Sequence, residues 1–148
     1  MQQTFITHAP TETEQVGRAF ACEPRASGKD TALIALRGGL GVGKTAFTRG
    51  FASAFGRMHV KSPTYTIVNE YRTDEATVFH FDMYRIEDEE DLLGIGFDDY
   101  LRERAFCLVE WSENVEPWLP RERYTVTIER LGTDSPDARR ITIREETV

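Results

Sequence analysis

Gly38-Gly39-Leu40-Gly41-Val42-Gly43-Lys44-Thr45 satisfies the spacing G-x-x-x-x-G-K-[ST] at every fixed position. That pattern suits one chemistry, the enclosure of a polyphosphate. Glycines let successive backbone N–H groups turn inward around phosphate oxygens, and the N-terminus of a following helix adds partial positive charge. The ammonium of Lys44 reaches the outer phosphates, and the Thr45 hydroxyl is a hard-oxygen ligand for Mg²⁺. The flanks agree with this reading. Thr31 to Leu36 is a short apolar run that reads as a buried strand. Ala46 to Phe55 puts Phe47, Phe51, Ala54 and Phe55 at helical spacing, and Gly56 follows as a C-terminal cap. Strand, glycine-rich loop and helix together imply a site for a nucleoside triphosphate.

Two carboxylates stand directly after predicted strands, Asp82 after Thr77 to Phe81 and Glu110 after Phe106 to Val109. Both would emerge at the strand ends where the phosphate loop opens. Mg²⁺ on a triphosphate keeps several waters, so one or two carboxylates beside Thr45 suffice. A second acid would hold or polarise the attacking water. The competing reading makes either residue a helix N-cap or a surface acid. The acids from Glu87 to Asp91 read as a solvated helix face. Ser62-Pro63-Thr64 is a rigid hydroxyl-bearing segment that reads equally as a phosphate-sensing switch or as a turn into a strand. Trp111, next to Glu110, either stacks near a nucleotide or fills the core, and core filling is the favoured reading.

The elements that must position these groups follow from pattern. Phe5 to Thr7 reads as an opening strand. Thr11 to Phe20 reads as a helix with Thr11 as N-cap and Glu14 completing a capping box. Residues 24–29 form a polar connector. Ile67 to Tyr71 and Thr77 to Phe81 suggest a hairpin. Ile86 to Leu93 and Asp98 to Arg104 read as short helices broken at Gly94 and Gly96. Phe106 to Val109 has the continuous apolar character of a central parallel strand. Tyr124 to Arg130 and Arg139 to Arg144 alternate as a terminal antiparallel pair. The expected fold is α/β: a P-loop NTPase-like, mostly parallel sheet flanked by helices, with an antiparallel C-terminal strand pair. Residues 1–148 are expected to form a single domain.

Composition narrows the classes. The chain has 148 residues, and none of its runs approaches the ~20 apolar residues of a membrane span. The N-terminus lacks the basic-then-apolar pattern of a signal peptide, so a cytoplasmic location is expected, with no membrane partner. Net charge is −7, which argues against unaided nucleic-acid binding despite the local basic residues Arg49, Arg57, His59 and Lys61. Cys22 and Cys107 read as small buried apolar residues, and His8, His59 and His80 show no metal-ligand spacing.

Four segments in order, Gly39-Leu-Gly-Val-Gly-Lys-Thr-Ala-Phe-Thr-Arg-Gly-Phe51, Lys61-Ser-Pro-Thr-Tyr-Thr66, His80-Phe-Asp-Met-Tyr-Arg85 and Leu108-Val-Glu-Trp111, strongly resemble the TsaE family, formerly YjeE. The likeness extends over nearly the whole chain. It implies a small P-loop ATPase that acts with the TsaD and TsaB proteins in threonylcarbamoyl modification of adenosine 37 of ANN-decoding tRNAs. ATP and Mg²⁺ are the implied cofactors, and tRNA is met only indirectly, through the complex. By motif position, Lys44 and the loop residues Gly38, Gly39, Leu40, Gly41, Val42, Gly43, Thr45 and Ala46 bind phosphates, while Thr45 and Glu110 ligate Mg²⁺. Asp82 is the implied catalytic acid residue, Thr64 a phosphate-sensing or catalytic-support residue, and Lys44 supports catalysis as well as binding. Trp111 lies near the nucleotide, and Thr13 on the adenine side of the pocket. The family loop usually carries an aspartate where this chain has Gly39, so weak or partner-dependent hydrolysis is expected. Preference for ATP over GTP rests on the resemblance alone.

The runner-up class is a small-molecule P-loop kinase, which needs an acceptor pocket and usually an arginine-bearing lid. The segment from Lys61 to Arg72 is too short for an obvious lid, although Arg85, Arg102 and Arg104 are available charges. A nucleotide-dependent regulatory module with negligible hydrolysis would use the same loop.

Overall fold

The computed structural model describes residues 2–23, 30–39, 41–56, 58–60, 67–132 and 134–146, with residues 58–60 described by backbone alone. The connector at 24–29, Leu40, and residues 61–66 with Ser62, Pro63 and Thr64 lie outside the described residues. In chain order the elements are β1 (Gln2–Thr7), α1 (Pro10–Phe20), β2 (Ala32–Arg37), α2 (Lys44–Ser53), β3 (Met58–Val60) and β4 (Val68–Thr73). They continue with β5 (Thr77–Asp82), α3 (Glu89–Gly94), α4 (Phe97–Leu101), β6 (Phe106–Glu110), β7 (Arg123–Arg130) and β8 (Arg139–Glu146). Two 3₁₀ turns, Ser112–Asn114 and Glu116–Trp118, lie between β6 and β7. None of the described helices is long and apolar enough to cross a membrane.

The strands form one mixed sheet in the order β1-β8-β7-β2-β6-β5-β4-β3. Its core, β7-β2-β6-β5, is parallel, and both wings are antiparallel. β7 and β8 make the expected C-terminal antiparallel pair, and β4 and β5 the expected hairpin. β6 is buried at all five positions, as a strand covered on both faces must be. Period-two alternation divides its side chains. Phe106 and Leu108 join Ile34, Leu36 and Val126 beneath α1 and α2, where Phe20, Phe47, Phe51 and Phe55 fill the layer. Cys107 and Val109 point the other way, into Phe79, Phe81, Met83 and Phe97 under α3 and α4. The sheet is thus covered on both faces.

The α1–α2 crossing is unusually close, and glycine makes it so. A Cβ on Gly50 would lie 1.9 Å from the Glu14 carbonyl oxygen, and one on Gly17 2.2 Å from the Phe47 carbonyl oxygen. Helices that approach backbone to backbone tolerate no side chain at those positions.

Several local expectations are corrected. α1 begins at Pro10 behind Ala9, which caps without a side-chain bond, so Thr11 is not the N-cap. The fixed φ of proline suits the first helical position, and Glu14 faces Arg49 of α2 at 3.3 Å instead of closing a capping box. α3 starts at Glu89 rather than Ile86, because the Asp88 carboxylate accepts the Asp91 N–H at 2.9 Å and fixes the start there. Gly96 adopts a left-handed conformation and opens α4 at Phe97, and that helix ends at Leu101 rather than Arg104. β3 pairs with β4 although no sequence pattern announced it. Cys107 is buried and its thiol is pushed up to about 12 by desolvation, but Cys22 is exposed, contrary to expectation.

The glycine contacts give a direct test. We expect Gly50→Ala to destabilise the protein by about 3 kcal/mol, the upper range of overpacking costs. Gly39→Ala, whose Cβ would meet nothing within 4 Å, should change stability by less than about 0.5 kcal/mol. Urea midpoints of the two variants beside wild type check both numbers.

Candidate nucleotide and metal site

The parallel strands β2, β6 and β5 end side by side, and their register decides which residues meet. Leu36 lies opposite Glu110, and Glu110 opposite Asp82. β2 runs out into the glycine loop, which turns into α2 through Gly43 at φ 117°, a left-handed value that disfavours any side chain. The carboxyl edge of a parallel sheet therefore carries loop, Glu110 and Asp82 together, the usual location of sites in open α/β sheets.

Lys44 is the first residue of α2 and is only 5 % exposed. Its Nζ donates to the Gly38 carbonyl at 2.7 Å and sits 4.0 Å from the centroid of the Trp111 ring. Among the described residues no carboxylate forms a salt bridge with it. Burial lowers its pKa, and the negative charges of Glu110, Glu113 and Asp82 oppose that shift. An ammonium has three N–H donors, and one carbonyl plus an indole face leave donor capacity for anionic oxygens. A desolvated cation at a helix N-terminus fits a polyphosphate.

The Thr45 hydroxyl donates toward Oε1 of Glu110 at 3.5 Å, too long for a strong hydrogen bond. Glu110 is buried and is neither an N-cap nor a surface acid. Two hard oxygens at this spacing, one neutral and one anionic, are the donor type Mg²⁺ takes. Among the described residues no group of three or more His, Cys, Asp or Glu gathers as a metal cluster, so Thr45 and Glu110 would hold an ion jointly with substrate oxygens. Asp82 is half-buried, its Oδ1 accepts the Tyr84 N–H at 3.0 Å, and it lines a cavity of about 250 Å³ with Ile67, Tyr84 and Arg85.

The remaining expected residues distribute as follows. Gly41 and Val42 lie in the loop, and Ala46 one residue into α2 beyond Thr45. Thr13 is buried on α1, its Oγ1 3.0 Å from that of Thr7 and its Cγ2 3.5 Å from the position of a Cβ on Gly43. It therefore adjoins the loop. Trp111 is half-buried and packs against the second core layer, but it also faces Lys44 and lies 5.0 Å from the Tyr84 ring, so it is more than filler. Leu40 and Thr64 lie outside the described residues. A cavity of about 400 Å³ lies at the opposite end of the strands, between Leu33, Leu101, Arg123 and Glu146. Its size does not select it, because it holds none of the loop chemistry.

Three supports have no role assigned from the sequence pattern. Arg139 of β8 donates from Nε to the Val42 carbonyl at 2.9 Å, pinning the loop from 97 positions away. Ser112 donates to the Leu36 carbonyl at 3.2 Å, tying the turn after Glu110 to the end of β2. His80 brings Nε2 within 3.0 Å of Glu110 Oε2. Only His80 stood in a recognisable motif.

A buried cation without a carboxylate partner among the described residues costs stability. Lys44→Met should raise stability at pH 7 by roughly 1 kcal/mol while removing nucleotide binding. The sign follows from the lowered pKa: between the folded pKa and the unfolded 10.5 the unfolded chain holds more protons, so wild-type stability rises with pH there. The advantage of Lys44→Met should therefore shrink as pH approaches 10.5, as urea titrations of both proteins across pH 7 to 10.5 will show.

Known proteins of similar sequence and shape agree with this architecture. The family model for Threonylcarbamoyl adenosine biosynthesis protein TsaE matches residues 7–141. The tRNA threonylcarbamoyladenosine biosynthesis protein TsaE of Bacillus subtilis is 41% identical over 134 residues, 90% of this chain and 81% of that protein. Its counterpart from Haemophilus influenzae is 40% identical over 116 residues, 78% of this chain and 71% of that protein. The crystal structure of Bacillus subtilis YdiB superposes with a TM-score of 0.77 at 34% identity, covering 99% of this chain and 87% of that one. With a parallel-cored sheet that ends in a phosphate loop and a sequence match over most of its length, the chain belongs to the TsaE family of P-loop proteins.

Proposed function

We propose that residues 1–148 act as one Mg²⁺-dependent ATPase domain that supports turnover of the TsaD and TsaB proteins during N6-threonylcarbamoyladenosine formation at tRNA adenosine 37. The family and the names of the relatives support the pathway. One observation carries the chemistry: a buried ammonium with donors unspent among the described residues, beside a hydroxyl and carboxylate pair, at the mouth of a glycine loop. On this reading tRNA is reached only through the partner complex, and the protein works in the cytoplasm.

Each residue has a part that follows from its surroundings. The loop amides from Gly38 to Ala46 enclose the phosphates. Lys44 exchanges its hold on the Gly38 carbonyl for outer phosphate oxygens, and a low-dielectric setting strengthens that contact. Thr45 and Glu110 hold the ion. Bound Mg²⁺ supplies neutralisation of charge on the phosphate oxygens. The Asp82 carboxylate orients the attacking water, which cleaves the terminal phosphoryl group to leave ADP and phosphate. Thr64 senses that phosphoryl group, Thr13 contributes on the adenine side of the loop, and the Trp111 ring bounds the pocket behind Lys44.

The test is phosphate release with the protein alone and again with purified TsaD and TsaB. Release stimulated by the partners supports the proposal; transfer to a small acceptor would instead identify a kinase, and binding without release a regulatory module. Lys44→Ala should abolish ATP binding by calorimetry. Glu110→Ala should cut Mg²⁺-dependent hydrolysis by about 100-fold, or roughly 3 kcal/mol, while leaving Mg²⁺-free nucleotide binding nearly intact. Equal loss of both would make Glu110 a structural support.

A further inference from the structure

We infer that His80 is a positioning residue for Glu110: its imidazole engages one carboxylate oxygen, Oε2, so that the other, Oε1, faces the Thr45 hydroxyl. This rests on the reading of Thr45 and Glu110 as the ion-holding pair. The two oxygens are divided between two neighbours. Oε1 lies 3.5 Å from Thr45 Oγ1, and Oε2 lies 3.0 Å from His80 Nε2. The register explains how they meet. Glu110 stands opposite Asp82, two residues beyond His80 on the same face of β5, so the imidazole reaches it along the diagonal between neighbouring strands.

The location makes a purely structural role a poor account of this side chain. His80 is 5 % exposed and follows Val78 on a sheet face whose neighbours Phe106 and Leu108 are apolar. An aliphatic residue would fill that space without desolvating two nitrogens. Yet neither ring nitrogen has an aligned hydrogen-bond partner among the described residues, and Nε2 lies in close contact with Glu110 Oε2 at 3.0 Å. Tyr71 of β4 lies nearly parallel to the ring, with planes 23° apart and centroids 6.4 Å apart, and holds it from the far side. The result is a chain of contacts from β4 through β5 to β6, ending on the carboxylate that faces Thr45. Groups that orient a metal-holding side chain govern metal affinity without touching the ion.

The experiment uses Mn²⁺ as a paramagnetic replacement for Mg²⁺ and a non-hydrolysable ATP analogue, with bound Mn²⁺ read by electron paramagnetic resonance. His80→Phe keeps ring volume and the Tyr71 contact but removes both nitrogens, whereas His80→Gln returns an amide N–H near the Nε2 position. We expect His80→Phe to weaken Mn²⁺ binding to the nucleotide complex about tenfold or more, and His80→Gln to stay within about threefold of wild type. Metal-free analogue affinity, measured by calorimetry on the same samples, should be unchanged in both. Wild-type Mn²⁺ affinity in His80→Phe, or equal losses in the two variants, would overturn the inference. Glu110→Gln separates the two layers of argument. If it leaves Mn²⁺ binding unchanged, the ion site itself is misassigned and the role of His80 falls with it; if it weakens binding while His80→Phe does not, only the role of His80 falls.

Discussion

A single desolvated charge organises this molecule. The Lys44 ammonium is buried at the N-terminus of α2, with a backbone carbonyl and an indole face as its close neighbours rather than a carboxylate. Burial of a cation is costly unless partners compensate, and here compensation is partial and distributed. Glu110, Glu113 and Asp82 act through space, all on or just beyond the ends of β5 and β6. The helix start contributes the wrong sign for a cation, since its partial charge is positive. The arrangement makes physical sense around an added polyanion, which every one of these groups except the acids would welcome. The acids in turn match a divalent cation. Loop, acids and helix are therefore one electrostatic unit, and it exists because parallel register brings three strand ends into line.

Trp111 marks where that unit is under conformational strain. It is the one positive-φ non-glycine among the described residues, at φ 57°, a conformation that costs roughly 1–2 kcal/mol for an L-residue. Bonds on both sides hold it. The Glu110 carbonyl accepts the Met83 N–H at 3.0 Å just before the bend, and the Ser112 hydroxyl grips the Leu36 carbonyl at 3.2 Å just after it. Asn114 adds a bond to the Met83 carbonyl at 2.9 Å. Without the bend, period-two alternation would carry the indole to the face opposite Glu110. With it, the indole lies beneath Lys44, and β6 brings an acid to Thr45 and an aromatic ring to Lys44.

How much of this was legible depended on whether the physics was local. The phosphate loop, the buried β6 and the alternating β7 and β8 declare themselves because their signals lie within one element. The emergence of Asp82 and Glu110 at one edge followed from the topology that those elements imply. Contacts set by tertiary register left no local trace, as with Arg139 on Val42, Ser112 on Leu36 and the diagonal from His80 to Glu110. The misjudged helix start has the same origin. Thr11 and Glu14 fit a capping box on paper, but Pro10 already sets the backbone for the first turn and Arg49 of α2 draws Glu14 outward. β3 has three residues, too few to show alternation, and depends on β4 for its pairing.

The α1–α2 crossing links stability to the site in a way neither helix shows alone. Gly17 and Gly50 permit backbone contact between the helices, so the distance between their axes is set by the absence of side chains. That distance places Thr13, one turn before Gly17 on α1, with its methyl 3.5 Å from the Cβ position of Gly43 at the loop exit. The Thr13 hydroxyl is meanwhile turned back toward Thr7 at the end of β1. A wider crossing would withdraw this wall from the loop while leaving the loop sequence untouched. The glycine loop is thus not self-sufficient: one of its neighbours is a helix whose position two distant glycines determine.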